Sequence, residues 1–204
     1  MGEQAAADGL TGTTHHQSLG RSHQTGPELR VYNASSYTDA AATIGSLYQR
    51  IYSEPPYGEG PDDVADFVSS LPRRASQPGF RLVVASWDGD PVGFALGHQL
   101  TPDTKWWQGA TSSIPESTTR EDPGRTFAVI ELAVLPAFRR RGIARIMHDR
   151  LLANLTEQRV TLLVRPEAGP ANAAYERWGY ARVASIKPFP NAPTYTAMIL
   201  PLRD

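Results

Sequence analysis

The chain has 204 residues, 40% of them hydrophobic and 20% charged, with a formal net charge of −1 and no cysteine; that length suits one domain with a core, alone or with a tail. The near-neutral charge argues against a protein that works by neutralising nucleic-acid phosphates, and the lack of cysteine excludes disulfides, thiolate metal sites and a thioester formed on the enzyme. No run nears the roughly 20 apolar residues of a membrane span, and no basic patch leads into an apolar run as in a secretory signal, so a cytoplasmic protein without nucleic-acid or membrane partners is expected.

Residues 1–28 are polar and glycine-rich without periodicity and read as a disordered tail. His15, His16 and His23 in this stretch have no carboxylate at ligand spacing, so no metal is expected. The domain is expected over residues 29–204, beginning with an alternating strand at 29–35. Apolar Ala41, Ile44, Leu47, Tyr48 and Ile51 then recur at helical spacing, with Ser36 as a candidate N-cap. Consecutive prolines at 55 and 56 must end that helix. A short amphipathic helix is expected at 62–71. Strands at 81–87 and 91–100 flank Asp88-Gly89-Asp90, a hairpin turn signal. Residues 101–125, with Trp106-Trp107, lack periodicity, and a loop so long is usually functional or disordered. The strand at 126–135 is apolar on both faces except at Glu131, so it belongs in the middle of a sheet. A helix over 140–158 follows, with Ile143, Ile146, Met147, Leu151 and Leu155 inward. Next come an apolar strand at 160–165, a short helix at 172–180, and strands at 181–187 and 194–202 that can close as an antiparallel hairpin. This order predicts one α/β domain with a mixed sheet of about six or seven strands flanked by helices.

The chemistry concentrates in ELAVLPAFRRRGIAR, residues 131–145. A buried strand ends at Pro136, a basic loop with one glycine follows, and a helix begins. The first amides of a helix lack intrahelical acceptors and carry about half a unit of positive charge. Gly142 lets the backbone approach a ligand closely, and neighbouring arginines can give charge-assisted bidentate bonds. Together these make an anion cradle suited to a pyrophosphate. Neither G-x-x-x-x-G-K-S/T nor G-x-G-x-x-G is present, so a P-loop and a dinucleotide fingerprint are both excluded.

Strand, R-x-x-G-x-A and helix, filled by Arg139, Gly142 and Ala144, resemble the acetyl-CoA signature of the GNAT acetyltransferases. A second family pattern, A-x-x-x-Y-x-x-x-G-F/Y, is matched by Ala171, Tyr175, Gly179 and Tyr180. The resemblance covers about residues 29–202. It implies a GNAT-like sheet with two central strands splayed to admit acetyl-CoA as co-substrate. Leu132, Ala133 and Val134 would meet pantetheine and acetyl group, and Arg139, Arg140, Arg141, Gly142, Ile143, Ala144 and Arg145 the pyrophosphate. It also implies Tyr175 as the acid that protonates the leaving thiolate. Two departures stand out: Leu163 occupies a position where some relatives carry a catalytic glutamate, and Ala168 replaces an asparagine that touches the cofactor in many. Homodimers are compatible with the resemblance.

Glu131, the one charge in a central strand, needs a partner or a task. It can activate the amine, bind a cationic substrate, or pair with an arginine. On the acceptor side, Glu54, Tyr57, Trp106 and Trp107 are candidates, with Tyr52 and Glu59 nearby, because aromatic rings and carboxylates suit a small amine. The expected activity is acetyl transfer to a primary amine of a small molecule. A protein N-terminus or lysine is the alternative acceptor, and a non-catalytic CoA sensor the alternative role.

Overall fold

Seven strands form one open sheet in the order β1-β2-β3-β4-β5-β7-β6: β1 Glu28–Tyr32, β2 Arg81–Trp87, β3 Asp90–Gln99, β4 Thr126–Val134, β5 Arg159–Val164, β6 Ala181–Ile186 and β7 Tyr195–Pro201. The computed structural model describes residues 26–55, 57–188 and 192–202. The first 25 residues of the expected tail, including its three histidines, lie outside the described residues. Neighbouring strands are antiparallel except β4 and β5, which run parallel. The expected closing hairpin forms, with its second strand inserted between β5 and β6. At the β2–β3 turn, Asp88 and Gly89 both take positive φ, 52° and 88°, as a two-residue hairpin loop of that twist requires.

The helices are α1 Thr38–Tyr52, α2 Pro61–Ala75, α3 Glu116–Thr119, α4 Ile143–Leu152 and α5 Gly169–Arg177. Adjacent residues of β3 show which face each covers, because strand side chains alternate. Phe94 meets Phe67 of α2 with ring centroids 5.8 Å apart. A Cβ on Gly93 would instead stand 3.0 Å from the Met147 Cε of α4. Thus α1 and α2 cover one face of β3 and α4 the other. Apolar side chains from both layers, among them Ile44, Leu71, Phe94, Phe127, Met147 and Leu162, fill the core.

Several expected boundaries shift. Ser36 does not cap α1: Tyr37 holds the N-cap position and makes no side-chain cap bond. Ser36 Oγ is instead drawn into a turn around Asn33, where it accepts the Asn33 N–H. Helix α2 runs past the expected 62–71 to Ala75, with Pro72 inside it. Helix α4 is shorter than expected and ends at Leu152, since Asn154 adopts a left-handed φ of 58°. Ile146 is 41% exposed rather than inward, and His148 takes the buried place beside Met147 and Leu151. The segment 101–125 is anchored by a buried network. Trp107 Nε1 donates to Glu121 Oε1 at 2.9 Å, Arg159 Nη2 reaches the same oxygen at 2.8 Å, and Arg159 Nε donates to Thr126 Oγ1 at 2.7 Å.

One register detail positions the site. Leu96 of β3 pairs with Glu131 but Gly97 pairs with Val129, so Ile130 is an extra residue bulged out of β4. Bulges bend a strand and re-aim its side chains. A Cβ on Gly97 would collide with the Ala128 carbonyl and the Phe127 ring. Gly97→Ala is therefore expected to cost about 1–3 kcal/mol through overpacking. Thermal or denaturant unfolding checks this, and a variant as stable as the parent would show that the bulge is not held by that contact.

Candidate active site

Strands β4 and β5 pair only from Thr126↔Arg159 to Val129↔Leu162. Beyond that point β4 continues to Val134 with β3 alone as neighbour. The bulge at Ile130 falls where the two strands part. Glu131, Leu132, Ala133 and Val134 consequently turn an unpaired backbone edge towards β5 in the middle of the sheet, with Ala133 and Val134 buried. Buried backbone groups call for partners, so this edge can hydrogen-bond an extended ligand lying between the strands.

The edge leads directly to the basic loop. A turn of 3-10 helix at Pro136–Phe138 ends the strand, Arg140 and Gly142 take φ of 63° and 79°, and α4 starts at Ile143. Ile146 N–H makes the first i→i−4 bond, to Gly142 O, so the amides of Ile143, Ala144 and Arg145 have no intrahelical acceptor. The space a Gly142 side chain would occupy is open. Three arginines are held in place. Arg139 Nε donates to Val134 O at 3.1 Å. Arg141 stands 5.4 Å from the Trp87 ring and 5.2 Å from Phe138. Arg145 pairs with Asp149 at 2.8 Å and lies 5.5 Å over Trp178. Fixed guanidinium groups around free helix amides form a ready anion site, because little side-chain freedom remains to be lost.

On the α1–α2 face, the Tyr52 hydroxyl donates to Glu131 Oε2 at 2.8 Å. Tyr48 donates to Glu59 Oε2 at 2.5 Å. The other Glu59 oxygen lies 3.5 Å from Arg165 Nη2, whose guanidinium stacks 5.1 Å over Tyr57. Tyr48 and Tyr52 rings are 4.4 Å apart and Tyr52 and Tyr57 rings 4.8 Å. Burial raises the Glu131 pKa to about 6, opposed by nearby Arg74 and the Tyr52 bond and reinforced by Glu59. Burial also raises Tyr48 and Tyr52, so both remain donors at neutral pH.

Tyr175 comes from α5, just beyond β5. Its hydroxyl makes no hydrogen bond among the described residues, while Trp178 and Tyr180 pack edge-on at 5.5 and 5.6 Å. Burial, then the nearby Tyr57 and Glu131, raise its pKa, so it carries its proton at neutral pH. Behind it, Tyr180 Oη lies 2.8 Å from His148 Nε2, and burial holds that histidine below its usual pKa.

Glu131, Tyr57 and Tyr175 thus stand near enough to influence one another's ionisation, and the free β4 edge that begins at Glu131 leads into the arginine loop. The three other acceptor candidates are placed differently. Glu54 is exposed after α1. Trp107 is 8% exposed and belongs with Ile186 and Ala197 in a second apolar cluster. Trp106 is tied through Nε1 to Thr161 Oγ1 at 3.3 Å. Tyr48, Arg74 and Arg165 at the cleft were not anticipated. Arg165 ends an apolar strand, a position that could have marked it, but nothing local marks Arg74.

Among the described residues, no group of histidines and carboxylates is placed to hold a metal ion, and no helix is long and apolar enough to cross a membrane. A free central edge running into a helix start with unbonded amides and flanking arginines is suited to an extended ligand with an anionic tail. The profile of the Acetyltransferase (GNAT) family matches residues 43–180, and the chain belongs to this family of acetyl-CoA-dependent N-acetyltransferases. Among solved structures it is similar to PH1933 from Pyrococcus horikoshii OT3, at 20% identity and TM-score 0.59, over 87% of this chain and 100% of that one. It is also similar to AAC(6')-Ib in complex with ribostamycin and coenzyme A, at 16% identity and TM-score 0.58, over 87% and 94% of the two chains. The ribosomal-protein-S18-alanine N-acetyltransferase from Escherichia coli matches at 16% identity and TM-score 0.58, over 87% and 96%. No curated protein matches in the sequence comparison.

The raised Glu131 pKa has a measurable consequence for stability. Burial penalises the charged form, so the folded protein holds this proton more tightly than the unfolded chain. The stability it contributes is full below the ordinary value of 4.5 and is lost as pH rises through about 6. Glu131→Gln cannot ionise. Its melting temperature should therefore gain on the parent's as pH rises across that window; a difference that does not change with pH would contradict the raised value.

Proposed function

We propose that the chain transfers the acetyl group of acetyl-CoA directly to a primary amine of a small molecule, with Glu131 as base and Tyr175 as acid. The observation that carries this is the unpaired β4 edge, which runs from Glu131 to the Gly142 helix start and has Tyr175 on its far side. Leu132, Ala133 and Val134 would bond the pantetheine and acetyl group. Residues 139–145 would hold the pyrophosphate through the amides of Ile143, Ala144 and Arg145 and the flanking arginines.

An ammonium with a pKa of about 10.4 is not nucleophilic. Glu131, ionised above about pH 6, takes its proton, directly or through a water. The nitrogen lone pair then attacks the acetyl carbon, a β4 amide near Val134 stabilises the oxyanion, and the carbon–sulfur bond breaks. The Tyr175 hydroxyl, with no other partner, gives its proton to the departing sulfur. One chain supplies both groups, so no second copy is required.

The acceptor would lie against Tyr52, Tyr57 and Glu59. Arg165 joins Glu59 and Tyr57 to the end of β5, bridging the approach to Glu131, and this supports a small acceptor over an open groove for a protein N-terminus or lysine. The cysteine-free composition fits a cytoplasmic enzyme.

Release of CoA thiol from acetyl-CoA across a panel of amines tests the proposal, and the protein contributes no thiol background. Turnover above hydrolysis with a small amine is expected. Turnover of peptides alone would point to a protein acceptor, and binding of acetyl-CoA without turnover to a sensor. Tyr175→Phe should lower kcat about 10²–10⁴-fold with acetyl-CoA affinity retained. The kcat/KM profile should rise with pH through about 6, and Glu131→Gln should remove that limb; full activity in Tyr175→Phe would remove the acid assignment.

A further inference from the structure

Arg74 is the cation in the acceptor cleft that lacks a carboxylate bound to it. It stands in the last turn of α2, half-buried, with Leu71 and Ala75 of the same helix packed beneath. Its Nε donates to Ser70 Oγ at 2.8 Å, and its two terminal nitrogens have no acceptor among the described residues. Capping the helix C-terminus does not explain it. The Arg73 carbonyl accepts from Ser76 Oγ and Gln77 Nε2, and the Arg74 carbonyl from the Gln77 amide. Other cleft charges are engaged: Glu131 with Tyr52, and Glu59 with Tyr48 and Arg165.

The guanidinium shares the α1–α2 face with Glu131, and each is the other's strongest electrostatic neighbour. Yet no ion pair joins them among the described residues, so the base and this planar fork of free donors stand apart. A guanidinium fork is matched in shape and charge by a carboxylate. An acceptor built only of cationic amines would meet this positive charge beside the base, which works against it.

We infer that the acceptor is a primary amine that also carries a carboxylate a few bonds away, an amino-acid-like molecule, with Arg74 binding the carboxylate while Glu131 receives the amine. This rests on the acetyl transfer proposed above and narrows its substrate. Arg74 is a specificity residue: removing it should abolish discrimination between acid and neutral acceptors without touching the cofactor side.

The test compares amino acids with their carboxamides and with a simple diamine in the CoA-release assay, on the parent, Arg74→Gln and Arg74→Lys, with acetyl-CoA affinity measured by calorimetry for each. The acids should be preferred over their amides by about tenfold or more in kcat/KM. Arg74→Gln should erase that preference through KM, Arg74→Lys should retain part of it, and acetyl-CoA affinity should be the same in all three. Equal use of acid and amide, preference for the diamine, no turnover of any acid, or a preference that survives in Arg74→Gln would each overturn the inference. Failure of the parent to bind acetyl-CoA would instead overturn the acetyl-transfer proposal beneath it.

Discussion

Everything distinctive in this fold depends on β4 and β5 parting after four paired residues. A parallel pair inside a sheet normally bonds along its length, and unpaired buried amides and carbonyls cost free energy comparable to lost hydrogen bonds. Here the Ile130 bulge bends β4 where pairing with β5 stops, and Gly97 opposite leaves room for the close approach of the Ala128 carbonyl. The strand then delivers its free edge into a loop that starts a helix, which places two kinds of unsatisfied donor end to end. A ligand with an amide-bearing arm and an anionic tail answers both, as acetyl-CoA does.

The same opening explains the charges beside it. Glu131 stands in a strand that is otherwise apolar and is kept there by one phenolic bond from Tyr52. Its pKa balances burial against that bond and Arg74. A carboxylate that titrates near neutrality is a better proton acceptor than a fully solvated one and is still charged at working pH. Tyr175 is the complement: burial keeps the phenol protonated, and the absence of a protein partner leaves its hydroxyl free to act. Burial raises both pKa values, yet at neutral pH the carboxylate is charged while the phenol keeps its proton, so under the proposed transfer one would accept a proton and the other donate one.

How much of this was legible in the sequence depended on whether the signal was local. The 126–135 strand, the Asp88-Gly89 turn and the Gly142 helix start are local events of hydrophobic period and backbone freedom, and each lies within three residues of its expected place. The left-handed Asn154 that cuts α4 short is local too, but asparagine tolerates several conformations and its neighbours did not decide between them. Trp106 and Trp107 were ambiguous for another reason: an aromatic pair in a long loop serves equally as a pocket wall or as an anchor. The buried Glu121 and Arg159, 38 positions apart, decide for the anchor at Trp107. Arg74 and Glu131 are 57 positions apart by their numbers, and only the crossing of α2 over β3 brings them to one cleft.

The anchored loop also bears on the site. Thr161 pairs with Ala128, next to Val129, and the bulge sets Val129 and Glu131 on opposite faces. The Trp106 bond to Thr161 therefore places the 101–125 segment on the same face as α1 and α2, over β5 and β7 rather than β3 and β4. Two covers of unlike origin, a helix pair and a tryptophan-pinned loop, thus flank the face on which Glu131 opens. On the other side of the sheet α4 presents the anion site at its start. Under the proposed transfer, acyl donor and acceptor would reach the same carbonyl carbon by separate approaches, one along the β4 edge from α4 and one from the face bearing Tyr52, Tyr57 and Arg74. Direct transfer without an enzyme-bound intermediate requires that separation, because both substrates must be present at once and neither can pass through the other's place.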